Sequence, residues 1–293
     1  MSTALQSADR VVVGSDGSRP ASAAVEWAAA WAWGTGKGLT LVGTVRPFPS
    51  RVARRDSATY DDGLRKVAQE HLDTERERLL DKHPELDVVA VAITGTASHT
   101  LVEASKDASL VVVGTRGVGA MAGMLLGSTS DDVVTYATGP VAIVPDEAKP
   151  PHLSDIAVGV DIGDDSMRAL SFAIDSARSL GVPVRAVHAV DVAAYMRMTS
   201  ILALTLTEEE LLEEGRQDID EALSKLGGTD GVTIEPVVSS DRPIDALTAA
   251  TETSSLVVVG SRGRGGFAGL LLGSTSRKLA QLSKVPTIVV RGR

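Results

Sequence analysis

The chain has 293 residues, enough for two domains of ordinary size. Hydrophobic residues make up 43% and aromatic residues only 3%, so aliphatic side chains must build the cores, as in parallel sheets covered by helices. The net charge of −9 and the scarcity of aromatic side chains argue against nucleic acid as a partner, and the lack of cysteine excludes thiol catalysis and disulfides.

Apolar strands and helices alternate along the first half of the chain. We predict strands at 10–15, 39–45, 87–94, 109–114 and 140–144. We predict helices at 19–34, 60–83, 97–106 and 128–138. The helices are indicated by apolar residues at 3.6-residue spacing, such as Leu72 and Leu79.

The second half has the same alternation. Its predicted strands are 154–160, 183–190, 231–238, 255–260 and 286–290. Its predicted helices are 165–180, 207–227, 242–253 and 274–284. Valine-rich strands separated by helices predict an α/β fold, with a doubly wound, Rossmann-like parallel sheet in each half.

An internal repeat relates the two halves. Residues 110–144 and 256–290 align without a gap, and about half of the aligned positions are identical. The sequence VVVGSD at 11–16 likewise matches IAVGVD at 156–161. We therefore expect two domains, at 1–147 and 154–293, joined by an extended linker that contains Pro150 and Pro151.

The first strand of each half ends at a small segment with an aspartate. In doubly wound sheets ligands bind beyond the carboxyl ends of the strands, where the strand order reverses. A carboxylate there can accept hydrogen bonds from ribose hydroxyls or an adenine amine, although an aspartate in this position also serves as a helix cap or turn former. The candidate residues are Gly14, Ser15 and Asp16, and Gly159, Val160 and Asp161.

The loop after the fourth strand carries the pattern G-x2-G-x9-G-S in both halves. Glycines allow a close backbone approach, and the amides of the helix that follows form an anion site, to which Ser and Thr hydroxyls add donors. The sequence lacks the G-x4-G-K-[ST] pattern of P-loop NTPases. The candidate residues are Gly114, Arg116, Gly117, Gly127, Ser128, Thr129 and Ser130, and Gly260, Arg262, Gly263, Gly273, Ser274, Thr275 and Ser276.

These motifs resemble the universal stress protein family, in its tandem-domain, ATP-binding class. The resemblance covers the whole chain twice and implies a five-stranded sheet of order 3-2-1-4-5 in each half, with one ATP site apiece. It implies that Asp16 and Asp161 lie at the adenosine end, that Thr44 and Ala189 border adenine through their backbone, and that the glycine-rich loop holds ribose and phosphates. The second half departs from the family pattern, because Asp161 is followed by Ile162 and Gly163 instead of Gly and Ser.

The resemblance also implies partners. The edge strands 141–144 and 287–290 would pair with one another within the chain, and dimerisation of whole chains is compatible with this arrangement. The five histidines are scattered without metal-ligand spacing, so we expect no protein metal site; Mg²⁺ would arrive with the phosphates of ATP. His188 is interpreted as a packed or lining residue, and Trp27 and Trp31 as core.

The charges around the two loops differ. The second half carries three basic residues where the first has none, namely Arg264, Arg277 and Lys278 in place of Val118, Asp131 and Asp132. Acidic residues in the first helical turn oppose a bound triphosphate. We therefore predict that the second site prefers a triphosphate more strongly than the first, the alternative being that these are solvated surface charges of little effect.

Three functions are compatible with the residues. The first is an ATP-binding regulatory protein of the stress response with at most slow ATP hydrolysis, since no catalytic residue can be assigned. The second is an enzyme that uses ATP to activate a small substrate, with a pocket supplied by 46–62 or 191–207. The third is a nucleotide-free interaction module whose glycines only shape loops. The first ten residues lack the apolar segment of a signal peptide and no apolar run reaches the ~20 residues of a membrane span, so the expected location is the cytoplasm.

Overall fold

The computed structural model describes residues 5–46, 57–117, 126–146, 148, 153–202, 206–263 and 271–292. The chain divides into two compact units after Pro151. Each unit is an α/β domain built on five parallel strands.

The first unit holds a parallel sheet flanked by helices. Its strands are β1 (Val11–Gly14), β2 (Leu39–Val45), β3 (Val88–Thr94), β4 (Leu110–Gly114) and β5 (Val141–Val144). Its helices are α1 (Arg19–Gly34), α2 (Ser57–Lys82), α3 (Ala97–Ala104) and α4 (Ser128–Tyr136). The strand order is β3-β2-β1-β4-β5, all pairs being parallel. This confirms the 3-2-1-4-5 order and every element predicted for this half.

The second unit repeats that topology. Its strands are β6 (Ile156–Gly159), β7 (Val184–Ala189), β8 (Ile234–Ser239), β9 (Val257–Gly260) and β10 (Thr287–Val290). Its helices are α5 (Asp164–Leu180), α6 (Val192–Leu202), α7 (Glu208–Leu226), α8 (Pro243–Thr253) and α9 (Ser274–Leu282). The strand order β8-β7-β6-β9-β10 is again 3-2-1-4-5, with parallel pairs.

Helix α6 is the element that the sequence did not predict. It lies in the segment 191–207, whose apolar residues do not form a clear stripe at helical spacing. A local signal was present nonetheless: the carboxylate Oδ1 of Asp191 accepts a hydrogen bond from the amide of Ala194 at 2.8 Å, which is a helix-capping contact.

The core consists of aliphatic strands under helices rich in small residues. Val11, Val12 and Val13 of β1 are completely buried, as expected for a central parallel strand covered on both faces. On α1, Trp27 and Trp31 are buried and stacked with ring centroids 5.1 Å apart, so their prediction as core residues is confirmed. These helices fix where each strand end and each glycine-rich loop lie.

Candidate functional site

A cavity of about 370 Å³ opens at the carboxyl edge of the first sheet, a volume typical of small-molecule sites. The strand order places β1 between β2 and β4, so this edge is the point where the strand order reverses. All eleven residues that the sequence suggested for the first half line this cavity: Gly14, Ser15, Asp16, Thr44, Gly114, Arg116, Gly117, Gly127, Ser128, Thr129 and Ser130. The fold therefore brings together segments that are more than a hundred residues apart in the chain.

Six further residues line the cavity that sequence reasoning did not name: Ala21, Val42, Arg46, Ala97, Leu101 and Val113. Val42 was accessible to inference, because it lies two residues before Thr44 and so on the same face of β2. Leu101 could not be inferred in this way, because it belongs to helix α3 and reaches the cavity only through the packing of that helix on the sheet. A Cβ on Gly14 would lie 2.9 Å from Cδ1 of Leu101, which shows how closely this helix covers the end of β1.

An aspartate carboxylate sits against a glycine of the loop in both halves. A Cβ added to Gly117 would lie 2.6 Å from Oδ2 of Asp16, and a Cβ added to Gly263 would lie 2.6 Å from Oδ2 of Asp161. The absence of a side chain at these two glycines thus lets the carboxylate lie against the loop, in addition to the turn that the sequence indicated.

The departure from the family pattern in the second half leaves this aspartate turn unchanged. Oδ1 of Asp16 accepts from the amide of Ser18 at 3.0 Å, and Oδ1 of Asp161 accepts from the amide of Gly163 at 2.7 Å. The same turn, two residues long, therefore orients the carboxylate in both domains.

The last glycine of the motif precedes the helix without supplying a cap. Gly127 is the N-cap of α4 and Gly273 that of α9, and neither helix start receives a side-chain capping bond. The amides of Gly127 and Gly273 donate to Thr115 and Ser261 carbonyls at 2.7 Å, which folds the loop back on the end of the fourth strand. The amides of the first helical turn consequently have no capping side chain, as an anion-binding helix start requires.

Two serines of the motif serve the loop itself. The buried hydroxyl of Ser130 donates to the Gly114 carbonyl at 2.6 Å, and that of Ser276 donates to the Gly260 carbonyl at 2.7 Å. Their donor hydrogens are used inside the protein. This leaves Ser128 and Thr129 in the first domain, and their counterparts Ser274 and Thr275 in the second, as the hydroxyl donors beside the helix start.

The arginine of each loop is held by a carboxylate. In the first domain Asp146 accepts from the Thr115 hydroxyl at 2.6 Å and from Nη2 of Arg116 at 2.8 Å. In the second, Asp165 accepts from the Ser261 hydroxyl at 2.6 Å and from Nε of Arg262 at 3.2 Å. Neither aspartate was singled out from the sequence.

Asp165 is only 4% exposed and is held in its ionised form. Burial by itself raises the pKa of this carboxyl group, but hydrogen bonds from Ser261, Arg262 and Arg168 outweigh it, so the pKa lies below its ordinary value. Three donors thus stabilise the ionised form of this carboxylate.

A further carboxylate lies near the end of the first strand in each half, buried in the first domain and partly exposed in the second. In the first domain Glu75 of α2 accepts from the Ser15 hydroxyl at 2.7 Å. In the second, Asp218 of α7 lies 3.7 Å from Nε2 of His188, whose Nδ1 is 2.8 Å from the Val160 carbonyl oxygen. His188 is buried, in agreement with its interpretation as a packed residue.

The residues that distinguish the two loops are described only in part. Val118 and Arg264, on which the predicted difference between the sites partly rests, lie outside the described residues. Asp131 and Arg277 stand in the first turns of α4 and α9 respectively, as the repeat requires. Within the described residues no group of three His, Asp or Glu side chains has metal-binding geometry, and no helix combines the length and hydropathy of a membrane span.

Comparison with known proteins establishes the family. The model of the universal stress protein family matches residues 7–145 and 153–291, which together are nearly the whole chain. The chain belongs to the universal stress protein family. A universal stress protein of Mycobacterium tuberculosis is 36% identical over 302 residues, covering 96% of this chain and 94% of that protein. The resemblance inferred from the two motifs is confirmed, as is the tandem arrangement of two such domains.

Solved structures of the universal stress protein family share the fold. A crystal structure of a universal stress protein from Archaeoglobus fulgidus superposes with a TM-score of 0.70 and 19% identity, covering 96% of this chain and 98% of that one. Another universal stress protein of that organism, solved in complex with dAMP, aligns with 47% of this chain and 97% of its own at a TM-score of 0.35.

Proposed function

We propose that this universal stress protein binds ATP in each of its two domains and acts as a regulatory protein of the stress response, with at most slow hydrolysis. The observation that carries the proposal is the first-domain cavity, in which an ionisable carboxylate, a glycine-shaped loop and a helix start meet around one space. A nucleotide has the matching parts in the same order, namely hydroxyl donors on the ribose and an anionic tail.

The residues present fit such a ligand. Asp16 would accept from the nucleoside, while the first-turn amides of α4 and the hydroxyls of Ser128 and Thr129 would hold phosphate oxygens. Thr44, at the end of β2, would border the base. Because Gly117 has no side chain, the Asp16 carboxylate can lie where a Cβ would otherwise be and so faces the cavity.

The second domain repeats these features with Asp161, Gly263 and Gly273, and with Ala189 where the first domain has Thr44. Its helix start carries Arg277 and Lys278 in place of two aspartates. Positive charge there favours a polyanion, so the second site is expected to prefer a triphosphate more strongly.

A regulatory role is preferred to catalysis because the cavity offers binding groups without an assignable acid, base or nucleophile. The hydroxyls of Thr115 and Ser130 beside the end of β4 are already hydrogen-bond donors, to the Asp146 carboxylate and the Gly114 carbonyl respectively. Mg²⁺ would be carried by the phosphates. The pairing of the last strands, a dimer of whole chains and a cytoplasmic location stay predictions.

Extraction of the purified full-length protein followed by mass spectrometry tests nucleotide binding directly. We expect ATP to co-purify, and calorimetric titration of nucleotide-stripped protein with Mg-ATP to detect two sites. At a ligand concentration of 100 times Kd, binding should add about 2.7 kcal/mol to the free energy of unfolding, which a thermal shift detects.

Two variants show which site produces each part of the calorimetric binding signal. Ser128→Glu and Ser274→Glu each place a carboxylate at one helix start, where it suits the helix dipole but repels phosphate. Each should remove one site and leave the other. Gln281→Glu adds the same charge in the last turn of α9 and is the matched control. The proposal would be refuted if no nucleotide co-purified, if Mg-ATP caused no thermal shift and if these variants had no effect. A burst of pyrophosphate with added metabolites would instead indicate an enzyme that activates a small substrate.

A further inference from the structure

The two loop arginines are held by carboxylates from non-equivalent places in the repeat. Asp146 follows β5, and the position that matches it in the second half is Gly292. Asp165 lies in the first turn of α5, and the position that matches it in the first half is Pro20. The chain therefore supplies the same contact twice by different routes, which indicates that a carboxylate on this arginine matters in both domains.

The two carboxylates bind different nitrogens of the guanidinium group. A guanidinium has two edges able to form paired hydrogen bonds, one from Nε and Nη2 and one from Nη1 and Nη2. Asp165 takes Nε of Arg262, which leaves the edge of Nη1 and Nη2 intact. Asp146 takes Nη2 of Arg116, one of the two end nitrogens, so its negative charge lies at the end of the guanidinium group, which Asp165 leaves free on Arg262.

We propose that Asp165 is a positioning residue that presents the end of Arg262 to phosphate, whereas Asp146 restrains Arg116 and withholds it from phosphate. This inference rests on the proposed nucleotide binding and names the residues that make the two sites unequal. Arg262 then offers its Nη1 and Nη2 edge to a phosphate group, whereas at Arg116 a carboxylate already accepts from Nη2 and competes with the phosphate.

The surroundings of Asp165 support a fixed anchor. Its second oxygen, Oδ1, accepts from Nη2 of Arg168 at 3.2 Å, so both oxygens are engaged and the carboxylate cannot easily turn away. Arg291 lies close enough for its charge to interact with those of Asp165 and Arg262. Three arginines thus surround one carboxylate, and their positive charge favours a polyanion.

The effect of Asp165→Asn on Mg-ATP affinity at the second site distinguishes a purely electrostatic role of Asp165 from a positioning role. Removal of a negative charge beside an anion site should, by electrostatics alone, strengthen anion binding. If Asp165 positions Arg262, its replacement should instead weaken Mg-ATP binding at the second site, by about tenfold for the loss of one charge-assisted hydrogen bond. Asp146→Asn should strengthen Mg-ATP binding at the first site several-fold, because it both removes a negative charge and releases Arg116.

The test is calorimetry with Mg-ATP on the full chain with one site blocked. Asp165→Asn and Arg262→Lys are measured in the Ser128→Glu background, and Asp146→Asn and Arg116→Lys in the Ser274→Glu background. Lysine keeps the charge but loses the planar fork, so Arg262→Lys should cost about tenfold in affinity and Arg116→Lys threefold at most. Arg178→Lys, in an exposed pair with Asp175 at the far end of α5, is the control.

The outcomes separate this inference from the proposed function. If neither blocked parent binds Mg-ATP, the function itself fails and the inference with it. If both bind, but Asp165→Asn strengthens binding or the two lysine variants cost the same, nucleotide binding stands and the inference is overturned. Thermal unfolding without nucleotide checks the fold, and should Asp165→Asn fail to fold, the comparison of the two lysine variants decides.

Discussion

Replacement of Gly117 by alanine should separate nucleotide affinity from stability in the first domain. The new Cβ would lie 2.6 Å from Oδ2 of Asp16, closer than any real contact. The obstacle is the end of a flexible side chain, so we expect Asp16 to rotate away while the backbone stays in place. Gly117 does not adopt a positive φ, so alanine suits its backbone.

The expected change in stability is small. The rotated carboxylate loses its 3.0 Å hydrogen bond from the amide of Ser18, and because Asp16 is exposed, water replaces this donor and the cost is only about 1 kcal/mol. Alanine in place of glycine lowers the conformational entropy of the unfolded chain and so raises the free energy of unfolding by about 0.4–1 kcal/mol. The free energy of unfolding should therefore change by less than about 1 kcal/mol, which corresponds to a Tm shift of ~2–4 °C at most.

The expected change in affinity is large, because Asp16 is the carboxylate proposed to bind the nucleoside. Loss of a hydrogen bond to a charged group costs about 1.5–3 kcal/mol, or roughly 10- to 100-fold in Kd. The assay is Mg-ATP calorimetry in the Ser274→Glu background, together with thermal unfolding without nucleotide. Gly263→Ala in the Ser128→Glu background repeats the geometry in the second domain.

Gly63 provides the control, because it lies exposed in α2 and a Cβ there would meet nothing within 4 Å. Gly63→Ala should raise stability by about 1 kcal/mol through helix propensity and leave affinity unchanged. An affinity of the Gly117→Ala protein within twofold of its parent would refute the reasoning, as would a Tm loss too large for one hydrogen bond.

Three further results are expected from the buried polar groups and the packing. The pKa of Asp165 is lowered in the folded protein, so its contribution to stability is complete above its ordinary value of 3.8 and is lost as the pH falls through the lowered value. Between pH 5 and pH 2, the free energy of unfolding in urea should therefore fall less steeply for Asp165→Asn than for the unchanged protein. Equal pH dependence of the two proteins would contradict this. Gly215→Ala would place a Cβ 2.7 Å from Cγ2 of Val190, a stiff side chain, and overpacking of about 1–3 kcal/mol should outweigh the gain in helix propensity and lower the urea midpoint. Ser15→Ala removes the hydroxyl that donates to the buried Glu75, which should cost about 1–3 kcal/mol, and an unchanged melting temperature would show that the carboxylate finds another donor.

Local pattern predicted the doubly wound α/β class, the ten strands and all the described helices except α6, whereas the 3-2-1-4-5 strand order came from the family resemblance. Aliphatic strands alternate with amphipathic helices, and a gap-free repeat duplicates the pattern, so errors in one half were checked by the other. Eleven of the residues that line the first cavity were also predicted, Thr44 from the resemblance and the other ten because parallel strands bring their carboxyl ends to one edge and glycines before a helix point to an anion site. These features depend on residues close together in the chain, which composition and spacing report directly.

The contacts that distinguish the two sites were decided by tertiary structure. Asp146 and Asp165 reach the loop arginines across 30 and 97 residues, from positions that do not correspond in the repeat. Nothing in their local sequence marks them, since an aspartate at a helix start or after a strand is ordinary. Which nitrogen of an arginine a carboxylate occupies depends on how helix α5 and the end of β5 pack beside the loop, and this is a property of the folded chain alone.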